Sequence, residues 1–132
     1  MSFNARPERV REQIYLILQA WGMTDDLSAT TADVMLATDL IGVDSHGISM
    51  LMTYETKRGE GRFDCAARAR IVKENAVAAL MDAGGNLGHP VSVDAMKLAI
   101  KKARETSVGV VSVRNSHHFG AAGYYAKLAA DE

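Results

Sequence analysis

Val10, Ile14, Ile17, Leu18 and Trp21 recur at helical spacing near the start of the chain and predict a helix with one apolar face. Gly22 is placed to end it. Asp25 and Asp26 then offer an N-cap or first-turn charge to a second helix, whose apolar stripe is Ala29, Ala32, Leu36 and Leu40. Gly42 punctuates that helix, and a third is predicted from about Ile48 to Arg58, closed by Gly59 and Gly61. The pattern changes after residue 62. Residues 69–73 and 76–81 read as two strands around a Glu74-Asn75 turn, and Gly84-Gly85-Asn86-Leu87-Gly88 reads as a loop. Pro90 suits the first turn of a helix that buries Met96, Ala99, Ile100 and Ala103 and turns Lys97, Lys101 and Lys102 outward. Residues 108–113 are short, apolar and β-branched, the clearest strand signal. A last helix is predicted from near Gly120. The expected fold class is α/β (α+β): a helical unit over residues 1–62, then the start of a mixed-sheet domain over residues 63–132.

Composition narrows the partners. Apolar residues make up 48% of 132 residues, enough for a buried core, and 15 basic against 16 acidic residues leave a net charge of −1. That balance gives no support for nucleic-acid or anionic-membrane binding. No apolar run reaches the length of a membrane span, and the first ten residues carry no apolar stretch of leader length, so neither is expected. Cys65 is alone, which suits a reducing cytoplasmic setting and reads as a plain thiol. The final residues, Asp131 and Glu132, lie at the unfavourable end of a helix dipole, as they would in a frayed terminus or in a chain cut within a larger protein.

Chemistry concentrates in two glycine-flanked histidine segments. Asp44-Ser45-His46-Gly47 places an imidazole beside a hydroxyl and a carboxylate at the joint between two helices. An imidazole titrates near neutrality, and a serine hydroxyl bonded to one ring nitrogen would leave the other free to carry a proton. The plainer reading is that Asp44 or Ser45 caps the third helix. The second segment, Ser116-His117-His118-Phe119-Gly120, follows the clearest strand. Its histidines could hold a substrate, a metal or a cofactor, and Gly120 could open backbone N–H groups to an anion; equally they could be ordinary loop histidines. No metal site is expected, since adjacent histidines rarely converge on one ion and no HExxH pattern or cysteine pair is present. The glycines at 84–88 follow a strand and precede a helix but lack the dinucleotide spacing, and a loop needing positive φ explains them more simply. Tyr124 and Tyr125 read as packing residues.

Asp39-Leu40-Ile41-Gly42-Val43-Asp44-Ser45-His46-Gly47, then Tyr54 and Gly59, then Asn115 through Tyr125, resemble the malate/L-lactate dehydrogenase family. That family also contains ureidoglycolate, sulfolactate and piperideine-2-carboxylate oxidoreductases. The resemblance runs along essentially the whole chain, which looks like the N-terminal portion of longer members. It implies hydride transfer between NAD or NADP and a 2-keto or 2-hydroxy acid, a fold without the usual Rossmann fingerprint, and a homodimer. It implies that His46, oriented by Ser45, exchanges the proton, or that His118 does. It also implies that His118, Phe119, Gly120, Ala121 and Ala122 line the nicotinamide nucleotide. One departure is Met50, where the family usually has an arginine that forks onto the substrate carboxylate; either Arg114 or a residue beyond the chain anchors it, or the substrate differs, or this copy is impaired. A chain lacking most of that nucleotide pocket is not expected to turn over alone, and the rival expectation is a non-catalytic truncated paralogue acting as an assembly or interaction module.

Overall fold

The computed structural model describes residues 5–132; residues 1–4, on which part of the leader expectation falls, lie outside the described residues. Helix α1 (Pro7–Ala20) starts with proline in its first turn, where a missing N–H costs nothing. It buries Ile14 and Leu18 completely, with Val10, Ile17 and Trp21 half-buried against the same cluster. Helix α2 (Asp25–Leu40) departs from its expected stripe: Ser28, Thr31, Ala32, Val34, Met35 and Thr38 are buried, whereas Leu40 is 64% exposed. It packs on α1 and also on two later helices, so more than one face is covered. Polar residues can line those faces because their hydroxyls are satisfied: Thr38 donates to the Val34 carbonyl at 2.8 Å and Ser28 to that of Met23 at 3.3 Å. The third helix is split, with a 3₁₀ turn over Ile48–Met50 running into α3 (Leu51–Gly59).

The sheet is three-stranded, in the order β1 (Arg70–Glu74), β2 (Ala78–Asp82), β3 (Val110–Arg114). β1 and β2 are antiparallel, joined by a turn in which the Asn75 side-chain oxygen accepts from the Val77 and Ala78 amides. That turn consumes residues 75–77 and delays β2 to Ala78. β2 and β3 run parallel, with Ala78 opposite Val110 and Asp82 opposite Arg114, and α4 (Gly88–Thr106) crosses between them. The mixed sheet and five helices place the chain in the expected α/β class.

Two details of α4 correct the sequence reading. Its buried residues include Val91, Val93 and Ala95, while Met96, Ala99, Ile100 and Ala103 are only half-buried. Lys102, expected outward, is 5% exposed: its ammonium donates to the Asn75 carbonyl at 2.6 Å and pairs with Glu74 at 2.8 Å. The long lysine stem packs while its charge clamps the β1–β2 turn to the helix. Helix α5 (Ala122–Ala130) closes the chain.

Phe63, Cys65 and Leu87 join the core formed by the first helices, and burial raises the Cys65 thiol pKa. Val34 of α2, Val93 of α4 and Tyr125 of α5 form a separate cluster tying the two halves together. No helix among the described residues is long and apolar enough to cross a membrane.

Candidate active site

The segment 44–47 is fixed from below by α2. The Asp39 carboxylate accepts the Ile48 amide at 2.8 Å, and a Cβ on Gly47 would lie 1.7 Å from an Asp39 oxygen. Only glycine permits that approach. The residue receiving the first amide of the 3₁₀ turn, that of Ile48, is therefore Asp39, not Asp44 or Ser45 as the capping reading expected. Instead the Ser45 hydroxyl lies 2.8 Å from His46 Nδ1, and the Asp44 carbonyl accepts the Ser49 hydroxyl. Among the described residues, His46 Nε2 makes no hydrogen bond.

The second histidine segment leaves β3 through Asn115, which sits at φ +51°. Two backbone bonds pin it to the loop before α4: the His117 amide donates to the Asn86 carbonyl at 3.1 Å and the Gly88 amide to the His118 carbonyl at 2.8 Å. A Cβ on Gly88 would meet the His117 carbonyl and Phe119 Cβ at 2.6 Å, so this glycine serves a close backbone approach. The histidine pair then divides. His117 turns toward Phe63, with ring centroids 5.7 Å apart. His118 turns toward His46, at 5.3 Å, so the two motifs meet although most of the chain lies between them.

Three residues to which the sequence assigned no role complete the cluster. One is Asp39. Tyr54 of α3 is 1% exposed, and its hydroxyl lies 2.7 Å from His118 Nδ1. His89 of α4 is fully buried, with Nε2 3.5 Å from the same hydroxyl. His89 stands among glycine and proline at a helix start, and nothing local signals where its ring will point. Gly120 corrects a further expectation: it is buried, its amide points at His118 Nδ1 at 3.4 Å, and α5 begins only at Ala122, so it opens no anion site. Phe119 is 41% exposed and stacks on Tyr125, whose hydroxyl donates to the Phe119 carbonyl. Tyr125 is thus the packing residue it was read to be. Arg114 is engaged by Asp82 at 3.0 Å, and Met50 packs half-buried against the helical core.

The electrostatics keep two rings neutral. Burial, then His118, lower the His89 pKa to about 3. Burial, then His46 and Lys57, lower that of His118, and burial raises that of Tyr54. Because His89 titrates lower in the folded state than its ordinary value near 6.5, the unfolded chain binds the extra proton below that pH. The stability tied to a neutral His89 is complete above pH 6.5 and falls as pH drops toward 3, by about 1.4 kcal/mol per unit. Urea unfolding at pH 7 and pH 5 should show this loss, and His89→Gln should remove most of it. An equal loss in both proteins would contradict the assignment to His89.

A sequence model of the family described as malate/L-lactate dehydrogenase matches residues 5–132. The L-sulfolactate dehydrogenase of Methanocaldococcus jannaschii is 40% identical over 127 residues, which is 96% of this chain and 37% of that protein. The solved structure of sulfolactate dehydrogenase from that organism superposes with a TM-score of 0.90 at 41% identity, over 93% of this chain and 36% of the other. That of malate dehydrogenase from Entamoeba histolytica gives 0.94 at 34% identity, over 99% and 37%. The chain spans a little over a third of the length of these relatives.

Proposed function

Since the chain belongs to the malate/L-lactate dehydrogenase family, we propose that it forms the acid–base half of an oxidoreductase that interconverts a 2-keto acid and a 2-hydroxy acid with NAD or NADP. The observation that carries this reading is the meeting of His46 and His118 at 5.3 Å, with Ser45 bonded to the first ring and Tyr54 to the second. A bound reduced nicotinamide supplies the hydride that reaches the carbonyl carbon. The chain's residues manage the oxygen left behind. Ser45 holds Nδ1 of His46 and leaves Nε2 to deliver a proton to the developing alkoxide. His118, neutral and donating, polarises that oxygen.

The 118–122 segment suits a planar cofactor. Gly120 has φ +76°, and a Cβ there would come within 3.1 Å of the His89 ring, so the turn passes close over that ring. Phe119 offers a partly exposed aromatic face, and Ala121 and Ala122 add no bulk around it. These residues with His118 are the ones that would hold the nicotinamide. Residues 63–132 are then the beginning of the dinucleotide-binding domain, and exposed Leu40 and Ile41 at the foot of the catalytic turn suit a homodimer contact.

Met50 sets the substrate question. Methionine cannot fork onto a carboxylate, and a charged hydrogen bond contributes about 1.5–3 kcal/mol. Met50→Arg should therefore raise kcat/KM for 2-keto acids about tenfold or more. Steady-state assays of oxaloacetate, pyruvate and sulfopyruvate with NADH and NADPH test this, and an unchanged or lower value would contradict the account of Met50. The non-catalytic reading rests on Met50 and on the short chain, while the assembled Ser45–His46–His118 cluster favours catalysis.

A further inference from the structure

The direction of hydrogen bonding through Tyr54 can be worked out from atoms on both sides of it. The Gly120 amide points at His118 Nδ1 at 3.4 Å, and a backbone amide can only donate. That nitrogen therefore carries a lone pair, and the Tyr54 hydroxyl, 2.7 Å away, must donate to it as well. A hydroxyl has one hydrogen, so the Tyr54 oxygen is left to accept from His89 Nε2 at 3.5 Å. The proton of His89 then sits on Nε2, and its Nδ1, buried without a partner, is a lone pair. The opposite direction would leave a buried N–H of His89 without a partner and aim two donors at each other across Gly120 and His118. Buried unpaired donors are the rarer and costlier case.

We propose that His89 is a positioning residue that acts through Tyr54: its Nε2–H fixes the tyrosine hydroxyl as a donor and so locks His118 in the neutral Nε2–H tautomer. This rests on the function proposed above and divides the labour within it. His118 presents one fixed hydrogen-bond donor to the substrate oxygen and has no lone pair free to take a proton. His46 is then the single imidazole that cycles. The groups facing His118 are His46 from the catalytic turn, Tyr54 and Lys57 from α3, and His89 from α4. The lowered pKa of both rings is consistent with this, since each stays neutral where the tautomer matters.

Long-range ¹H–¹⁵N spectra of the protein labelled at histidine read the tautomers directly. The wild type should show His118 protonated at Nε2 at pH 7. His89→Leu removes the donor and should shift the tautomer ratio of His118 toward Nδ1–H by about 3- to 10-fold, the worth of one hydrogen bond. His89→Gln keeps an N–H and should restore the wild-type ratio. Tyr54→Phe, which deletes only the hydroxyl, should match His89→Leu and serves in its place if that variant does not fold. Nδ1–H in the wild type, or an unchanged ratio in Tyr54→Phe, would overturn the proposal, as would a His89→Gln spectrum that matches His89→Leu. Turnover assayed on the same samples separates the two claims. A reversed tautomer with intact hydride transfer removes only the role of His89, whereas the expected tautomer without hydride transfer removes the function and leaves the relay.

Discussion

In a protein with the family's full length, His46→Ala should lower kcat for 2-keto acid reduction by about 10²–10⁴-fold, the usual contribution of a positioned acid–base group. The ring is only half-buried, and its bonded partner among the described residues is Ser45, so its removal takes nothing from the helical core. The fold should therefore survive, with an unchanged circular dichroism spectrum and an unchanged urea midpoint. Nicotinamide fluorescence should report the same dinucleotide affinity, because the cofactor segment begins at His118. A drop in kcat at constant cofactor affinity is the signature of a group used only as charge develops on oxygen. Ser45→Ala should fall between, since it frees the His46 ring to rotate without removing it. Turnover like the wild type in His46→Ala would refute the proton role.

Gly109→Ala should destabilise the chain by about 3 kcal/mol, at the upper end of the cost of overpacking. A Cβ at position 109 would lie 1.9 Å from the Ala99 carbonyl oxygen, 2.8 Å from its carbon and 3.0 Å from the Ala103 amide nitrogen. All three are backbone atoms of α4, which cannot yield as a flexible side chain would. The helix is itself held by the sheet through Met81, Ala83, Val91 and Ala95. Ser107, left-handed at φ +68°, turns the chain out of α4, and Gly109 lets it return close beneath the helix into β3. Any displacement passes down β3 to His118. Urea unfolding measures the loss. Gly59→Ala is the control: nothing lies within 4 Å of its Cβ, so it should be neutral or stabilising by up to about 1 kcal/mol. Equal effects from the two substitutions would contradict the packing argument.

Periodicity made α1 legible, because Ile14 and Leu18 are buried on one face against one neighbour. It misplaced the core of α2, where partners on several sides bury Ser28, Thr31 and Thr38 and leave Leu40 outside. A pattern of apolar residues cannot register a hydroxyl that satisfies itself on its own helix. Lys102 was misread for a related reason, since its stem belongs to the interior and its charge to Glu74 and Asn75. Local signals indicated the three strands and the turn joining the first two, and the turn chemistry of Asn75 shifted β2 by two residues.

The site was legible in its motifs and silent in its supports. Ser45 beside His46 is a contact between neighbours, so adjacency alone suggested it. The approach of His118 to His46 depends on the β2–α4–β3 path and on no spacing rule, and only the resemblance joined them beforehand. Asp39, Tyr54 and His89 carry no local mark of their roles. Asp39 holds the turn that follows its own helix, and Tyr54 and His89 reach across the fold to the loop that follows β3.

The central claim is that the His46–His118 cluster serves hydride transfer to a carbonyl. Its most direct test is mass spectrometry of the 2-hydroxy acid formed when the protein is given a 2-keto acid and reduced dinucleotide carrying deuterium at both C4 positions of the nicotinamide. The account predicts one deuterium at C2 of the product with the wild type, and at least a hundredfold less labelled product per unit time with His46→Ala. Product without deuterium, or labelled product forming at the same rate in both proteins, would contradict it.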